Sequence, residues 1–144
     1  MKIALLSQMG FTGKIPRNHP NMRTEFAQMC ALNADHYPLY DVDKITEGYD
    51  HIILMIPKTQ KDRDSLYNID IVKKARRVGK YVWFMQEGPN WIFQDLPIHQ
   101  QFWHYNVLME VDGILTENRS DIPYFRGLVG GDKPIWNIPS LMIT

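Results

Sequence analysis

A chain of 144 residues, 44% hydrophobic and 22% charged, has the make-up of one folded domain, and at this length roughly 70% of the unfolded surface is buried, enough for a core without metal or disulfide support. Sixteen Lys and Arg balance sixteen Asp and Glu, so bulk charge selects neither nucleic acid nor an anionic membrane, and the single cysteine, Cys30, excludes an internal disulfide. The first strand begins at Lys2 without a signal-peptide pattern and no apolar run approaches the ~20 residues of a membrane span, which predicts a cytoplasmic protein with no membrane span.

Ile3-Ala4-Leu5-Leu6 is continuously apolar and predicts a central strand covered on both faces. It opens into a long loop, Ser7 to Pro20, that contains Gly10, Thr12, Gly13, Lys14 and Arg17. Asn21 can cap a following helix whose apolar stripe is Met22, Phe26, Met29 or Cys30, and Leu32. Cys30 inside that helix reads as a small buried hydrophobe in a reducing compartment. His36 to Tyr40 predicts a weaker strand near an edge, because Pro38 cannot donate to a ladder. A polar stretch, Asp41 to Asp50, precedes the strongest strand pattern, His51 to Ile56, which Pro57 ends.

Beyond the charged loop Lys58 to Arg63, a helix starting at Asp64 or Ser65 carries Tyr67, Ile71, Ala75 and Val78, and Gly79 fits its carboxyl-terminal cap. The apolar strand Val82 to Met85 stops at Gln86-Glu87-Gly88-Pro89, followed by Asn90 and Trp91. A helix from Ile98 places Ile98, Phe102, Tyr105 and Met109 on one side. Asp112-Gly113 turns into Ile114-Leu115 and then Thr116-Glu117-Asn118. A short helix from about Ser120 to Leu128 and a last strand from Pro134 to Ile138 complete the pattern. About six strands alternating with about four helices predict one α/β domain over residues 1–144, a Rossmann-like three-layer sandwich with a mostly parallel sheet. The apolar ending Ile138 to Thr144 suggests that a further segment follows.

In open parallel sheets ligands bind at the carboxyl ends of the strands, and Glu87 stands at such an end beside the apolar Trp83-Phe84 wall. Desolvation there favours a general-base role near neutral pH. Gln86 and Asn90 can hydrogen-bond a sugar or base hydroxyl, Trp91 offers an aromatic platform, and Glu117 and Asn118 repeat the arrangement one strand on. The bland alternatives are that Glu87 caps a loop or pairs with Arg23, that Trp91 is core, and that Asn118 only starts a helix. Gly10, Thr12, Gly13, Lys14 and Arg17 form either an acceptor-binding or inter-domain loop or a simple flexible turn; the Gly-x-x-Gly spacing matches neither the dinucleotide fingerprint nor the P-loop. The histidines have no metal-ligand spacing, and a Gly-x-Ser-x-Gly elbow is lacking, so neither a metal site nor a serine hydrolase is expected.

Met1 to Leu6 with its glycine-containing loop, Tyr81 to Met85 with Gln86-Glu87-Gly88-Pro89, and Asp112 to Asn118 together resemble the amino-terminal domain of GT-B glycosyltransferases of the phage type. The resemblance implies an acceptor-side domain, with a nucleotide sugar as co-substrate, no firmly implied cofactor, and a carboxyl-terminal donor-binding domain as missing partner. It implies modified DNA or a saccharide as acceptor, and Glu87 as the base where the inverting enzymes of the family carry an aspartate, or as an acceptor-orienting group in a retaining enzyme. A phage-encoded protein would work in the host cytoplasm. Two rival readings stand beside it: a free-standing Rossmann or flavodoxin-like module for a nucleotide or small ligand, and a non-catalytic interaction domain that uses Trp91, Phe93, Phe102, Trp103 and Trp136.

Overall fold

The computed structural model describes residues 1–18, 20, 25–57, 70–86 and 95–138. Its centre is a seven-stranded sheet: β1 (Ile3–Ser7), β2 (Gly13–Lys14), β3 (Asp35–Pro38), β4 (Tyr49–Ile56), β5 (Gly79–Gln86), β6 (Gly113–Thr116) and β7 (Ile135–Asn137), in the spatial order β2-β3-β1-β4-β5-β6-β7. Six strands are parallel, as expected, and the seventh, two-residue β2, runs antiparallel to β3 within the long first loop. Taking the six parallel strands alone in chain order, the sheet reads 2-1-3-4-5-6, the doubly wound order with its switch point between β1 and β4.

The α-helices among the described residues are α1 (Glu25–Ala31), α2 (Ile71–Arg76), α3 (Ile98–Glu110) and α4 (Ile122–Val129). Right-handed crossovers put α1 on one face of the sheet and the three helices that follow β4, β5 and β6 on the other. Two cores result. Alternate strand residues Ala4, Leu6, Ile52, Leu54, Ile56, Val82, Phe84 and Ile114 pack with α2, α3 and α4, while Leu5, Ile53, Met55, Met85 and Leu115 pack with Phe26, Ala27 and Met29 of α1. Cys30 is half-buried against this second core and has a free thiol.

The turns explain the boundaries. Asn33, at φ 56°, ends α1 in the left-handed region, with Ala34 N–H donating to Met29 O and Asn33 N–H to Cys30 O, the paired bonds of a Schellman stop. The polar-looking stretch after β3 is a 3-10 segment, Leu39–Lys44, whose Leu39 and Val42 enter the larger core together with Ile45. Asp70 caps α2 by accepting from Lys73 N–H at 3.1 Å. Gly79 is not the cap of that helix but the first residue of β5, where it lies against the Ile52 side chain.

The sequence left open which side of α3 meets the sheet. The expected stripe Ile98, Phe102, Tyr105 and Met109 does lie along one side of the helix, but that side faces solvent, while Gln100, His104, Val107 and Leu108 face the sheet. Leu32, expected in the buried stripe of the first helix, lies beyond its end and is exposed.

Candidate functional site

The carboxyl edge of the sheet carries two groups of buried polar side chains, one on each face. On the α1 face, Ser7 closes β1 and His36 stands in β3, both with almost no exposure. His36 Nδ1 lies 2.8 Å from Phe11 O, which can only accept, so Nδ1 donates there and Nε2 of the neutral ring accepts from the Ser7 hydroxyl at 2.7 Å. Ser7 Oγ accepts in turn from Met9 N–H at 3.2 Å. Phe11 stacks on the imidazole at 4.2 Å between centroids, and Phe26 meets it edge-on. The unit clamps the start of the first loop to the sheet.

On the opposite face, the buried polar residues among those described are Gln86 at the end of β5, Thr116 at the end of β6, Gln100 and His104 in the first two turns of α3, and Asp121 just before α4. Met85 is registered with Leu115, so Gln86 and Thr116 are neighbours one step further along. His104 lies against Phe84, with ring centroids 5.4 Å apart. Tyr124, in the first turn of α4, has its pKa raised by burial and by the nearby Asp121 carboxylate. None of the five buried side chains is a lysine or arginine. Amides, a hydroxyl, an imidazole and one carboxylate suit a neutral, hydroxyl-rich ligand better than a polyphosphate.

No protein-family model, curated protein or solved structure matches the chain. Among the described residues no group of histidine, cysteine and carboxylate side chains could hold a metal ion, and no helix is long and apolar enough to cross a membrane.

The expected site residues divide. Gln86 sits at the carboxyl edge and is buried. Glu117 is half-buried beyond β6. Asn118 is committed locally: its Oδ1 accepts from Ser120 N–H at 3.3 Å and from the Ser120 hydroxyl at 2.7 Å, starting the 3-10 turn Arg119–Asp121. Gly10 and Thr12 are exposed on the first loop, and Gly13 adopts φ +127°, so glycine at 13 is required by the backbone of β2. Lys14 is drawn to the opposite end of β3, where its ammonium lies 2.9 Å from Asp35 and donates to Asn33 O at 2.7 Å. Arg17 is exposed. Glu87, Asn90 and Trp91 lie outside the described residues, as do Asn21, Met22 and Arg23.

Ser7, His36, Gln100, His104 and Asp121 were not singled out by the sequence. A histidine alternating into an apolar strand, Asp35-His36-Tyr37-Pro38, was the available signal for the first pair.

Proposed function

We propose that this domain is the acceptor-side lobe of a GT-B type glycosyltransferase, which positions an acceptor hydroxyl for attack on a nucleotide sugar held by a second, donor-binding lobe. The observation that carries the reading is that, among the described residues, Gln86 and Thr116 end β5 and β6 as buried polar groups and the other buried polar side chains on that face, Gln100, His104 and Asp121, include no lysine or arginine. A hydroxylated acceptor is suited by hydrogen-bonding groups such as these amides, the hydroxyl and the carboxylate, whereas a diphosphate needs cations or a glycine-rich helix start. The three segments that resemble the family fall on β1, β5 and β6 and the connections leaving their carboxyl ends. Glu87 follows Gln86 directly in the chain, and in this reading its carboxylate takes the acceptor proton, or orients the acceptor if the enzyme retains configuration. A cytoplasmic location and an acceptor that is either modified DNA or a saccharide belong to the same proposal, with Gly10, Thr12, Gly13 and the exposed Arg17 on the acceptor's approach.

The test is direct. The 144-residue chain alone is expected to transfer no sugar from any of a panel of nucleotide sugars, and to bind an acceptor, hydroxymethylated DNA or an oligosaccharide, with amide shifts centred on Gln86 and Thr116. Transfer by this chain alone would refute the two-lobe account. A second reading draws on the strand order, which is that of flavodoxin-like domains: a free-standing module for a nucleotide or small ligand. Saturable nucleotide binding without acceptor binding would favour it.

A further inference from the structure

The longest helix among the described residues carries its apolar stripe on the outside. In α3, Ile98 is 71% exposed, Phe102 62%, Tyr105 39% and Met109 43%, although the inward side of the same helix is fully packed by Val107 and Leu108. These four follow one another at intervals of four, three and four, the spacing of a helix seam. The neighbouring exposed positions on that side, Gln101 and Asn106, are uncharged. Aromatic and Met side chains without charges mark the centre of an interface rather than a solvated face. Beside this ridge lies a recess of about 430 Å³ between α3 and α4, lined by Gln101, His104, Tyr124 and Leu128 together with the ridge itself. A two-fold contact uses the same patch on both copies, so the patch must be complementary to itself.

The spacing also names the occupant. A four-three-four interval reads the same in both directions. Two α3 helices packed antiparallel about a two-fold axis between Trp103 and His104 therefore set Ile98 opposite Met109 of the other copy, and Phe102 opposite Tyr105. Every member of the stripe meets another member. Glu110, the only carboxylate in the helix, then falls beside the amino-terminal end of the other α3, where the helix dipole favours a negative charge and the chain supplies no side-chain cap. We infer that this face is a self-association surface, through which two copies of the chain pair by antiparallel α3 helices. The exposed stripe that carries this inference plays no part in the glycosyltransferase reading, and His104 alone is common to the two.

Taking ~200 Å² for each large side chain, the four leave about 400 Å² in solvent per copy, so a symmetric pair removes about 800 Å² before α4 contributes. That falls below the ~1,200 Å² of tight complexes, so the dimer is expected to be a micromolar one. Sedimentation of the full chain from micromolar to millimolar concentration should show a reversible monomer–dimer equilibrium. Phe102→Glu and, separately, Met109→Lys should each weaken it at least tenfold while leaving the circular dichroism spectrum unchanged, since both side chains already face water. In a Cys30→Ser background, the double variant Ile98→Cys, Met109→Cys should oxidise to a covalent dimer, and neither single variant should. Within one helix these positions are about 16 Å apart and cannot pair. A chain that stays monomeric throughout, a dimer unaffected by Phe102→Glu, or cross-linking by a single-cysteine variant would each overturn the proposal.

Discussion

The ring of Trp83 lies over Gly113, its registered neighbour across the β5–β6 ladder, so closely that a methyl group at 113 would come within 2.7 Å of Trp83 Cε3. The ring is held from both sides: its Nε1–H donates to His51 Nδ1 at 3.0 Å, and Trp136 packs on it with centroids 5.2 Å apart. Gly113→Ala should therefore cost about 1–3 kcal/mol, the usual cost of overpacking. Urea unfolding gives the magnitude, and a shift in tryptophan emission should accompany it. An unchanged midpoint would mean that the ring moves freely.

Ser7→Ala should cost about 1–3 kcal/mol, because it strips the hydroxyl from His36 Nε2 and from Met9 N–H in a buried setting. The loss should be local as well as global: amide exchange at Met9 should accelerate more than in β4. Uniform acceleration throughout the sheet would show that the clamp has no special hold on the first loop.

Among the described residues, two partly buried carboxylates, Asp112 and Asp35, contribute to the response to acid. Partial burial pushes Asp112 up, but the Arg76 guanidinium at 2.9 Å and Val82 N–H at 2.8 Å outweigh it and hold its pKa below the usual carboxylate value. For Asp35, burial is likewise outweighed, by the Tyr49 hydroxyl and the Lys14 ammonium. A carboxylate whose folded pKa lies below its unfolded value stabilises fully above that unfolded value, ~4, and the contribution fades as pH falls through the folded pKa. Stability should thus fall below about pH 4 and be flat above about pH 5 for these two groups. Asp112→Asn should cost about 1 kcal/mol at pH 7, a small figure because the carboxylate is one-third exposed, and should flatten the acid limb. Chemical denaturation from pH 2.5 to 7 checks both the slope and its loss; an unaltered slope in Asp112→Asn would remove this residue from the account.

In a two-lobe enzyme containing this domain, Glu87→Gln should lower kcat by about 10²–10⁴ with little change in KM for the nucleotide sugar. Steady-state kinetics separate the two parameters. An unchanged kcat would exclude Glu87 as the proton acceptor and leave it an orienting role at most.

The parallel sheet was legible because its strands are buried on both faces and read as short unbroken apolar runs, of which His51 to Ile56 was the plainest. β2 was invisible, since two residues, Gly13 and Lys14, are too short for any apolar alternation to show. The face of α3 was left open for a different reason. Phe102, Trp103, Tyr105, Val107, Leu108 and Met109 surround the helix, so periodicity cannot choose a side, and the inward one includes Gln100 and His104, which a hydropathy pattern assigns to solvent. At the rim, Gln86 was found because it ends a strand abruptly. Asp121 escaped notice because its burial depends on where α4 docks, and Asn118 went to capping because Ser120 follows it two residues on.

β1 lies between β3 and β4 and hydrogen-bonds to both, yet it leaves the ribosome before either. During synthesis it has no ladder to join until Asp35–Pro38 and then Tyr49–Ile56 emerge, so its apolar residues must wait exposed or be shielded by a chaperone. Substitutions in Ala4, Leu5 or Leu6 should consequently reduce yield in the cell by more than their effect on the finished protein would suggest.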